Sequence, residues 1–144
     1  MIMATKFFLC TKCGNVVIKL VDSGVNVVCC GQPMQELVPH TKDFAMEKHL
    51  PVVEFETPGT IRVKVGSVPH PMTPEHHICF IYLETENGGQ VKYLKPDEAP
   101  EAVFKCCKEK VLAVYEYCNI HGLWKTDLSE ACGKDSCPVT SCGK

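Results

Sequence analysis

The chain has 144 residues, of which 45% are hydrophobic and 22% charged, and its formal net charge is -2 at pH 7. These values are typical of a globular protein with one ordinary domain or two small ones. The slightly negative charge argues against nucleic acid or an anionic membrane as a partner, and no apolar run approaches the roughly 18 residues of a membrane span. Residues 1–9 lack the basic start, long apolar core and cleavage site of a signal peptide, which predicts a cytoplasmic protein.

Eleven cysteines are the most informative part of the composition. In a secreted chain they would indicate disulfides, whereas in a cytosolic chain they indicate metal or redox chemistry. Their clustering into pairs favours a metal, and the odd total argues against a fully paired disulfide scaffold.

Residues 1–38 predict a small unit built around two pairs of cysteines. A β-branched run over Asn15–Val21, a turn signal and a return strand over Val25–Val28 together predict a hairpin. This hairpin would bring the second pair back to the first, with the spacing C-x2-C-x15-C-C. The four residues concerned are Cys10, Cys13, Cys29 and Cys30.

Four thiolates in so small a unit favour a metal site. The unit has little apolar core, so a bound metal would supply much of its folding free energy. Two disulfides or free thiols are the alternatives, and the spacing alone does not separate iron from zinc. Because Cys29 and Cys30 are adjacent, they cannot chelate as a relaxed C-x-x-C pair does, and we expect a distorted tetrahedron.

The rest of the chain predicts a linker followed by an all-β domain. Residues 39–45 show no apolar periodicity and predict the linker, in which His40 is a solvated residue. About seven short strands with turns between them, and no helix pattern, predict a β-sandwich of immunoglobulin-like type over residues 46–128. The main predicted strands are Val52–Glu56, Ile61–Val65, His77–Leu83, Val91–Leu94, Ala102–Phe104 and Val111–Tyr117.

The last segment, residues 129–144, predicts a flexible tail because it has almost no apolar content. It carries Cys132, Cys137 and Cys142 at equal spacing. Free thiols, a disulfide and an adventitious metal site are all compatible with this pattern.

A second set of candidate metal ligands centres on the sequence Tyr117–Gly122. Cys118 and His121 lie three residues apart there, at the end of a long apolar run of β type. Such a spacing is common by chance, but further histidines stand at junctions between predicted segments, where side chains can converge. Imidazole and thiolate together suit iron, copper, zinc or nickel, and five such ligands are too many for a structural zinc site. The junction histidines are His49, His70 and His76.

Taken together, these residues resemble the desulfoferrodoxin family, the two-iron form of superoxide reductase. The first unit is similar to desulforedoxin, and the second region is similar to the neelaredoxin-type catalytic domain. The resemblance covers roughly residues 5–126 and implies an all-β protein, with a small desulforedoxin-like metal-binding domain followed by an immunoglobulin-like β-sandwich. The matching motifs are Glu47-Lys48-His49, Gly66–Met72, His76, Leu94-Lys95-Pro96 and Glu116–Gly122.

The resemblance implies two irons per chain, one in an Fe(Cys)4 site and one in an Fe(His)4(Cys) site. The four cysteines of residues 1–38 would hold the first. The second would be square-pyramidal, with Cys118 at the apex. His76, rather than the neighbouring His77, is assigned to the base because its distance of six residues from His70 fits the family. The implied base consists of His49, His70, His76 and His121.

An activity is also implied. Four neutral imidazoles and one thiolate leave ferrous iron with a net positive charge, which attracts superoxide. Superoxide would be reduced by one electron and leave as hydrogen peroxide, without formation of dioxygen. In the family Glu47 occupies the open position of the ferric iron, and Lys48 draws the anion in. Without the resemblance, these two residues would be interpreted as a solvated surface pair.

The same resemblance implies a rubredoxin-like electron donor and a homodimer joined through strands of the first unit. Two other functions remain open on the sequence alone. One is an iron-binding electron-transfer protein without catalytic turnover of superoxide, and the other is a redox-silent zinc-binding scaffold.

Overall fold

The structure of the chain is a computed structural model that describes residues 5–42, 46–57, 59–106 and 109–128. The chain forms two compact units, Met1–Val38 and Pro39–Lys144. The predicted tail and its three cysteines lie outside the described residues. Among the helices in these ranges, none is long and apolar enough to cross a membrane.

Two small sheets make up the first unit. Strand β1, Phe7–Leu9, pairs antiparallel with β2, Val16–Ile18, on one side and with β5, Gln35–Leu37, on the other. Strands β3, Val28–Cys29, and β4, Gln32–Pro33, form a two-stranded antiparallel sheet. The second cysteine pair therefore lies at the end of β3 and in the turn that follows it.

The predicted hairpin between Asn15–Val21 and Val25–Val28 is wrong, because β2 pairs with β1. After β2 the chain forms a loop closed by Lys19, whose Nζ lies 3.0 Å from Asp22 Oδ1 and 2.8 Å from the carbonyl oxygen of Val25. Strand β1 offers β2 a partner at the buried centre of a sheet, whereas the apolar side chains that follow β2 are exposed. Burial therefore decides the pairing.

The first unit has a small apolar core. Phe8, Cys10 and Met34 are buried in it, and Val17 and Val27 pack against them. A core of this size contributes little stability by itself. A metal bound by the cysteines would therefore supply much of the folding free energy of this unit.

The first helix or strand of the second unit is the short helix α1, Met46–His49, and seven strands follow it in the described residues. They are β6 Pro51–Thr57, β7 Thr60–Val65, β8 Ile78–Thr85, β9 Gly88–Tyr93, β10 Glu101–Lys105, β11 Val111–Cys118 and β12 Gly122–Asp127. They form one sheet in the order β10-β7-β6 and a second in the order β12-β11-β8-β9, with antiparallel pairing throughout. The predicted all-β fold, with a β-sandwich after a small unit, is confirmed.

The core of the second unit consists of side chains from both sheets. Successive side chains of a strand point to opposite faces, so alternate apolar residues of β7 turn towards the opposite sheet. Cys118, the last residue of β11, belongs to this buried cluster and brings a thiol to one end of the core. The fully buried members include Ile61, Val63, Val65, Ile78, Ile81, Leu83, Phe104, Val111, Val114 and Cys118.

Three features of the second unit differ from the sequence-based expectation. Helix α1 has four residues, too few to show an apolar period. Strand β12 follows the last predicted strand because a turn with Gly122 at φ 85° returns the chain onto β11. His40, in the predicted linker, donates its amide to the carbonyl of Leu123 and accepts from the amide of Lys125, each at 2.9 Å. The start of the predicted linker is thus attached to β12, and residues 43–45 lie outside the described residues.

Candidate metal centres

The first candidate centre is the cluster of four cysteines in the first unit. Their sulfur atoms all lie within 4.8 Å of one another. Cys10 is buried, and Cys13 Sγ lies 3.6 Å from Cys29 Sγ. Two sulfurs bound tetrahedrally to one ion at about 2.3 Å would lie about 3.8 Å apart. The structure therefore brings the four predicted cysteines to distances that suit one metal ion.

Two tight turns aim these sulfurs at one point. In the first turn the amide of Cys13 donates to Cys10 Sγ at 3.5 Å. In the second, Cys30 has φ 53°, a left-handed conformation that residues other than glycine seldom adopt, and Gly31 follows at φ 77°. Because Cys29 and Cys30 are adjacent, both can face the centre only through this strained backbone.

The thiols of Cys10 and Cys30 have their pKa values shifted in opposite directions. The amide of Cys13 lowers the pKa of Cys10 to about 6, whereas the neighbouring sulfurs of Cys13 and Cys10 raise the pKa of Cys30 to about 12. Full deprotonation of the cluster therefore needs a cation that offsets the repulsion between thiolates. This donor set fits a tetrathiolate metal site.

The second candidate centre lies at one end of the sandwich and draws its residues from separate segments. His49 ends α1, His70 lies in the loop after β7, His76 precedes β8, and Cys118 ends β11. One ligand atom from each of these four residues lies within 4.8 Å of the others. His121 is outside that group but adjoins it from the turn between β11 and β12.

The four imidazole rings are arranged as a square. In the order His49, His70, His76, His121, successive ring centroids lie 4.6, 4.7, 5.0 and 4.8 Å apart, the last distance closing the square. The diagonal from His49 to His76 is 6.4 Å, close to that of a square with such sides. Neighbouring rings cross at 67° to 83°. The rings therefore surround one point, as the base of a square pyramid requires.

The nitrogen atoms of these rings suit a shared metal ion. Nε2 of His76 is buried and has no hydrogen-bond partner among the described residues. His70 Nδ1 lies 2.7 Å from the carbonyl oxygen of Pro71, so Nδ1 carries the proton and Nε2 keeps its lone pair. This Nε2 lies 3.1 Å from Nε2 of His49. Two nitrogens bound at right angles to one ion at about 2.1 Å would lie about 3 Å apart, so the pair fits.

Burial keeps the rings of His70 and His76 neutral. It lowers the pKa of His70 to about 4 and also lowers the pKa of His76, and the neighbouring imidazoles act in the same direction. Both rings are therefore neutral near pH 7, which is the form of imidazole that binds a metal.

The buried thiol of Cys118 lies beside the imidazole rings, with its sulfur within 4.8 Å of ligand atoms of His49, His70 and His76. Burial raises its pKa, while the amides of His121 and Ile120 lower it. The amide of His121 lies 3.4 Å from the sulfur, and Nδ1 of His121 lies 3.9 Å from it. A cation beside the sulfur would favour the thiolate, since a coordinating thiol loses its proton.

Glu47 and Lys48 lie on α1 directly before His49, and both are exposed. The carbonyl oxygen of Glu47 accepts a hydrogen bond from the amide of Val68 at 2.8 Å. Gly66 has φ 101° and approaches this segment so closely that an added Cβ would lie 2.7 Å from Lys48 Cα. The loop after β7 therefore fixes the backbone of both residues beside the site.

His76 and His77 have different surroundings. The ring of His76 is part of the square, whereas His77 Nδ1 lies 3.0 Å from the carbonyl oxygen of Thr73. The assignment of His76 as a ligand stays a prediction. Its ring lies in the square of four imidazole rings, which is the position that this prediction requires.

Sequence reasoning missed two buried residues beside the site. The ring of Trp124 stacks on His49 with centroids 4.8 Å apart and planes at 15°, and its Nε1 donates to the carbonyl oxygen of His121 at 3.2 Å. Glu116, two residues before Cys118, is fully buried, its carboxyl oxygens have no partner among the described residues, and burial raises its pKa well above the usual range. The available signals were the only tryptophan of the chain and an acid inside an apolar run.

This chain is similar in sequence and in structure to known proteins over most of its length. The sequence model of the desulfoferrodoxin family matches residues 41–127. Desulfoferrodoxin from Nitratidesulfovibrio vulgaris is 44% identical over 122 residues, which cover 85% of this chain and 95% of that protein. Desulfoferrodoxin from Desulfarculus baarsii is 45% identical over 121 residues, which cover 83% and 94%. The superoxide reductase from Treponema pallidum has a similar solved structure, with a TM-score of 0.74 and 38% identity over 86% of this chain and 98% of that one. From the family match and these relatives, this chain belongs to the desulfoferrodoxin family.

Proposed function

We propose that this protein is a superoxide reductase that reduces superoxide to hydrogen peroxide at the second centre, in defence against oxidative stress. The observation that carries the proposal is the square of four imidazole rings beside the buried thiol of Cys118. Membership of the desulfoferrodoxin family and the likeness to a solved superoxide reductase support it. The reaction consumes one superoxide, one electron and two protons and yields one hydrogen peroxide.

The second centre would hold one iron through five residues of this chain. Four neutral imidazoles leave the charge of the ion unchanged and one thiolate cancels a single unit, so the site stays positive and favours an anion. Bound there, iron would supply the electron that superoxide takes up, and a thiolate ligand would tune its electron density. The residues that would hold it are His49, His70, His76, His121 and Cys118.

Packing against Trp124 holds His49 and His121 in place. Trp124 stacks on His49 and also binds the carbonyl oxygen of His121. Trp124 is fully buried, so it excludes water from that face of His49. Ligands that are fixed in advance need little rearrangement when the charge of the site changes.

Two exposed residues would act on the solvent side. Lys48 adds positive charge next to His49 and would attract superoxide, because a local field raises the encounter rate of a small anion. Glu47 brings a carboxylate to the same edge, where it can approach the site after the product has left. Their fixed backbone keeps both groups near the centre while their side chains reach solvent.

The first centre would hold the second iron of the chain. Four sulfur ligands close a tetrahedral site and leave no position for a substrate. We therefore assign electron transfer or structural support to the Fe(Cys)4 site and the reaction with superoxide to the other.

We further propose a rubredoxin-like electron donor, a homodimer and a cytoplasmic location. None of the described cysteines forms a disulfide, which suits a reducing compartment. The homodimer is supported by large apolar side chains of the first unit that stay exposed, which a second copy could cover. They are Leu20, Val21, Val25, Val28 and Val38.

The test combines metal analysis with product counting. We expect two irons per chain, and we expect each superoxide added to the reduced protein to yield one hydrogen peroxide and no dioxygen. A colourless zinc protein would contradict the proposal, and so would a protein that changes colour on redox cycling without consuming superoxide. Release of dioxygen would indicate a dismutase instead.

A further inference from the structure

His76 reaches the second centre from a turn that is closed by Thr73. The amide of His76 lies 3.1 Å from Thr73 Oγ1 and 3.2 Å from the carbonyl oxygen of Thr73. In return, the carbonyl oxygen of His76 accepts from the Thr73 amide at 3.0 Å and from its hydroxyl at 3.2 Å. Both backbone groups of His76 are therefore held within the turn.

Asn119 ties this turn to the opposite half of the centre. Its Nδ2 donates to the carbonyl oxygen of Glu75 at 3.0 Å, and its Oδ1 accepts from the amide of His77 at 2.9 Å. Its own amide donates to the carbonyl oxygen of His77 at 3.2 Å. Glu75 and His77 flank His76, and Asn119 directly follows Cys118. One asparagine thus joins two segments whose residues are 42 positions apart in the chain.

These contacts account for every backbone polar group from the Glu75 carbonyl to the His77 carbonyl. The ring of His76 is different, since its Nε2 has no hydrogen-bond partner in the described part of the chain. No hydrogen bond at that atom sets the orientation of the ring. Its position therefore depends on the neighbouring rings of His70 and His121 and on its own backbone, which Thr73 closes and Asn119 anchors.

We propose that Asn119 is a positioning residue that fixes His76 relative to Cys118 and His121. The inference rests on the proposed function only in that the second centre is taken to bind iron. Loss of a group that orients a metal ligand typically weakens binding or activity about 10- to 100-fold. Because the Asn119 bonds are exposed to solvent, we expect the lower end, about tenfold faster release of iron from the second centre in Asn119→Ala.

The experiment uses the full-length, iron-loaded protein. Release of iron to a chelator is followed at the two centres through their separate visible spectra, and amide hydrogen exchange is followed over residues 73–77. Asn119→Asp keeps the acceptor for the His77 amide and loses the donor to Glu75, so its release rate should fall between those of Asn119→Ala and the unaltered protein. Asn87→Ala, in the exposed turn between β8 and β9, is the matched control.

We expect faster iron release and faster exchange over residues 73–77 in Asn119→Ala, with the first centre and the exchange of β8 unchanged. A general structural defect would instead speed exchange along β8. Unchanged iron release would overturn the inference even if exchange rose, and so would Asn119→Asp behaving like Asn119→Ala. If Asn119→Ala does not fold, the intermediate rate of Asn119→Asp decides. A second centre that binds no iron in the unaltered protein would overturn the proposed function instead.

Discussion

The two metal centres of this chain are built in opposite ways. In the first unit, two short turns supply four identical ligands, and the apolar core beside them is small. In the second unit, separate loops and strand ends supply the ligands around a large buried core. The first unit would need its metal to stabilise the fold, whereas the second unit has a core large enough to hold the ligands in place. A closed site thus suits a small unit, and an open reactive site needs a scaffold.

Loss of the Cys118 sulfur should have the largest effect on superoxide reduction. Cys118→Ser should retain some iron and lose most of its superoxide reduction, by about 100-fold or more, because a hydroxyl is a poor ligand at neutral pH and the electron donation of the thiolate is lost with the sulfur. The rate is measured with pulse-generated superoxide, together with the iron content. Cys79→Ser, at a half-buried cysteine of β8 outside both clusters, should stay near normal. Near-normal turnover of Cys118→Ser with iron bound would contradict the proposed role of the thiolate.

The dependence of the second centre on its scaffold can be tested at Gly66. Its backbone has φ 101°, and a Cβ would meet the carbonyl oxygen of Glu47 and lie 2.6 Å from the carbonyl carbon of Lys48. Gly66→Ala should displace α1 with His49 and weaken iron binding at the second centre about tenfold, while the first centre stays intact. Iron content and release rates measure this.

Gly88→Ala provides the control for Gly66→Ala. A Cβ at Gly88 would have no atom within 4 Å, and its φ lies outside the left-handed region. This variant should bind iron like the unaltered protein. Equal iron retention in the two glycine variants would show that the contact with α1 does not support the centre.

The proposed attraction of superoxide to the second centre can be tested at Lys48. Lys48→Ala should slow the bimolecular reaction with superoxide about tenfold and flatten its dependence on ionic strength, because steering by a local charge is screened by salt. Lys48→Arg should retain most of the rate. Stopped-flow mixing at several salt concentrations would measure both. Lys110→Ala, at an exposed residue just before β11 and so at the other end of that strand from Cys118, is the control. An unchanged rate and salt slope in Lys48→Ala would make this lysine an ordinary surface residue.

The smallest expected effect concerns the pH dependence of stability and involves Tyr115, which lies outside both centres. The hydroxyl of Tyr115 donates to Glu84 Oε1 at 3.2 Å, and burial raises the pKa of Tyr115. The folded pKa lies above that of the unfolded chain, about 10. The protonated Tyr115 hydroxyl therefore contributes its full stabilisation of the folded state below about pH 10, and this contribution is lost as the pH rises through the folded pKa.

Tyr115→Phe should make the unfolding temperature less sensitive to alkaline pH and leave both irons in place. Thermal unfolding from about pH 8 to about pH 12 would show it. Tyr93→Phe, at a tyrosine with 78% of its surface exposed, should keep the original pH dependence. The same alkaline loss in Tyr115→Phe would assign that loss to another group.

Local sequence patterns were sufficient for part of this account. The cysteine pairs, the alternation along β7 and the His and Cys motifs are all short-range, so the fold class and the candidate ligands could be predicted. The partner of β2 could not, because pairing with β1 depends on burial at the centre of a sheet. Helix α1 could not be predicted either, because four residues are too few to show the apolar periodicity of a helix. The bonds of Asn119 to the segment of His76 and the stacking of Trp124 on His49 join residues far apart in sequence, and no local pattern encodes them.

The division of labour between the two centres is tested most directly by Cys13→Ser. Its sulfur lies 3.6 Å from that of Cys29, in the cluster that would hold the first iron. The measurement is the bimolecular rate of superoxide reduction, with the second iron verified by its spectrum. We predict a disturbed first centre and a rate close to that of the unaltered protein. Loss of the superoxide reaction with the second iron still in place would contradict the account.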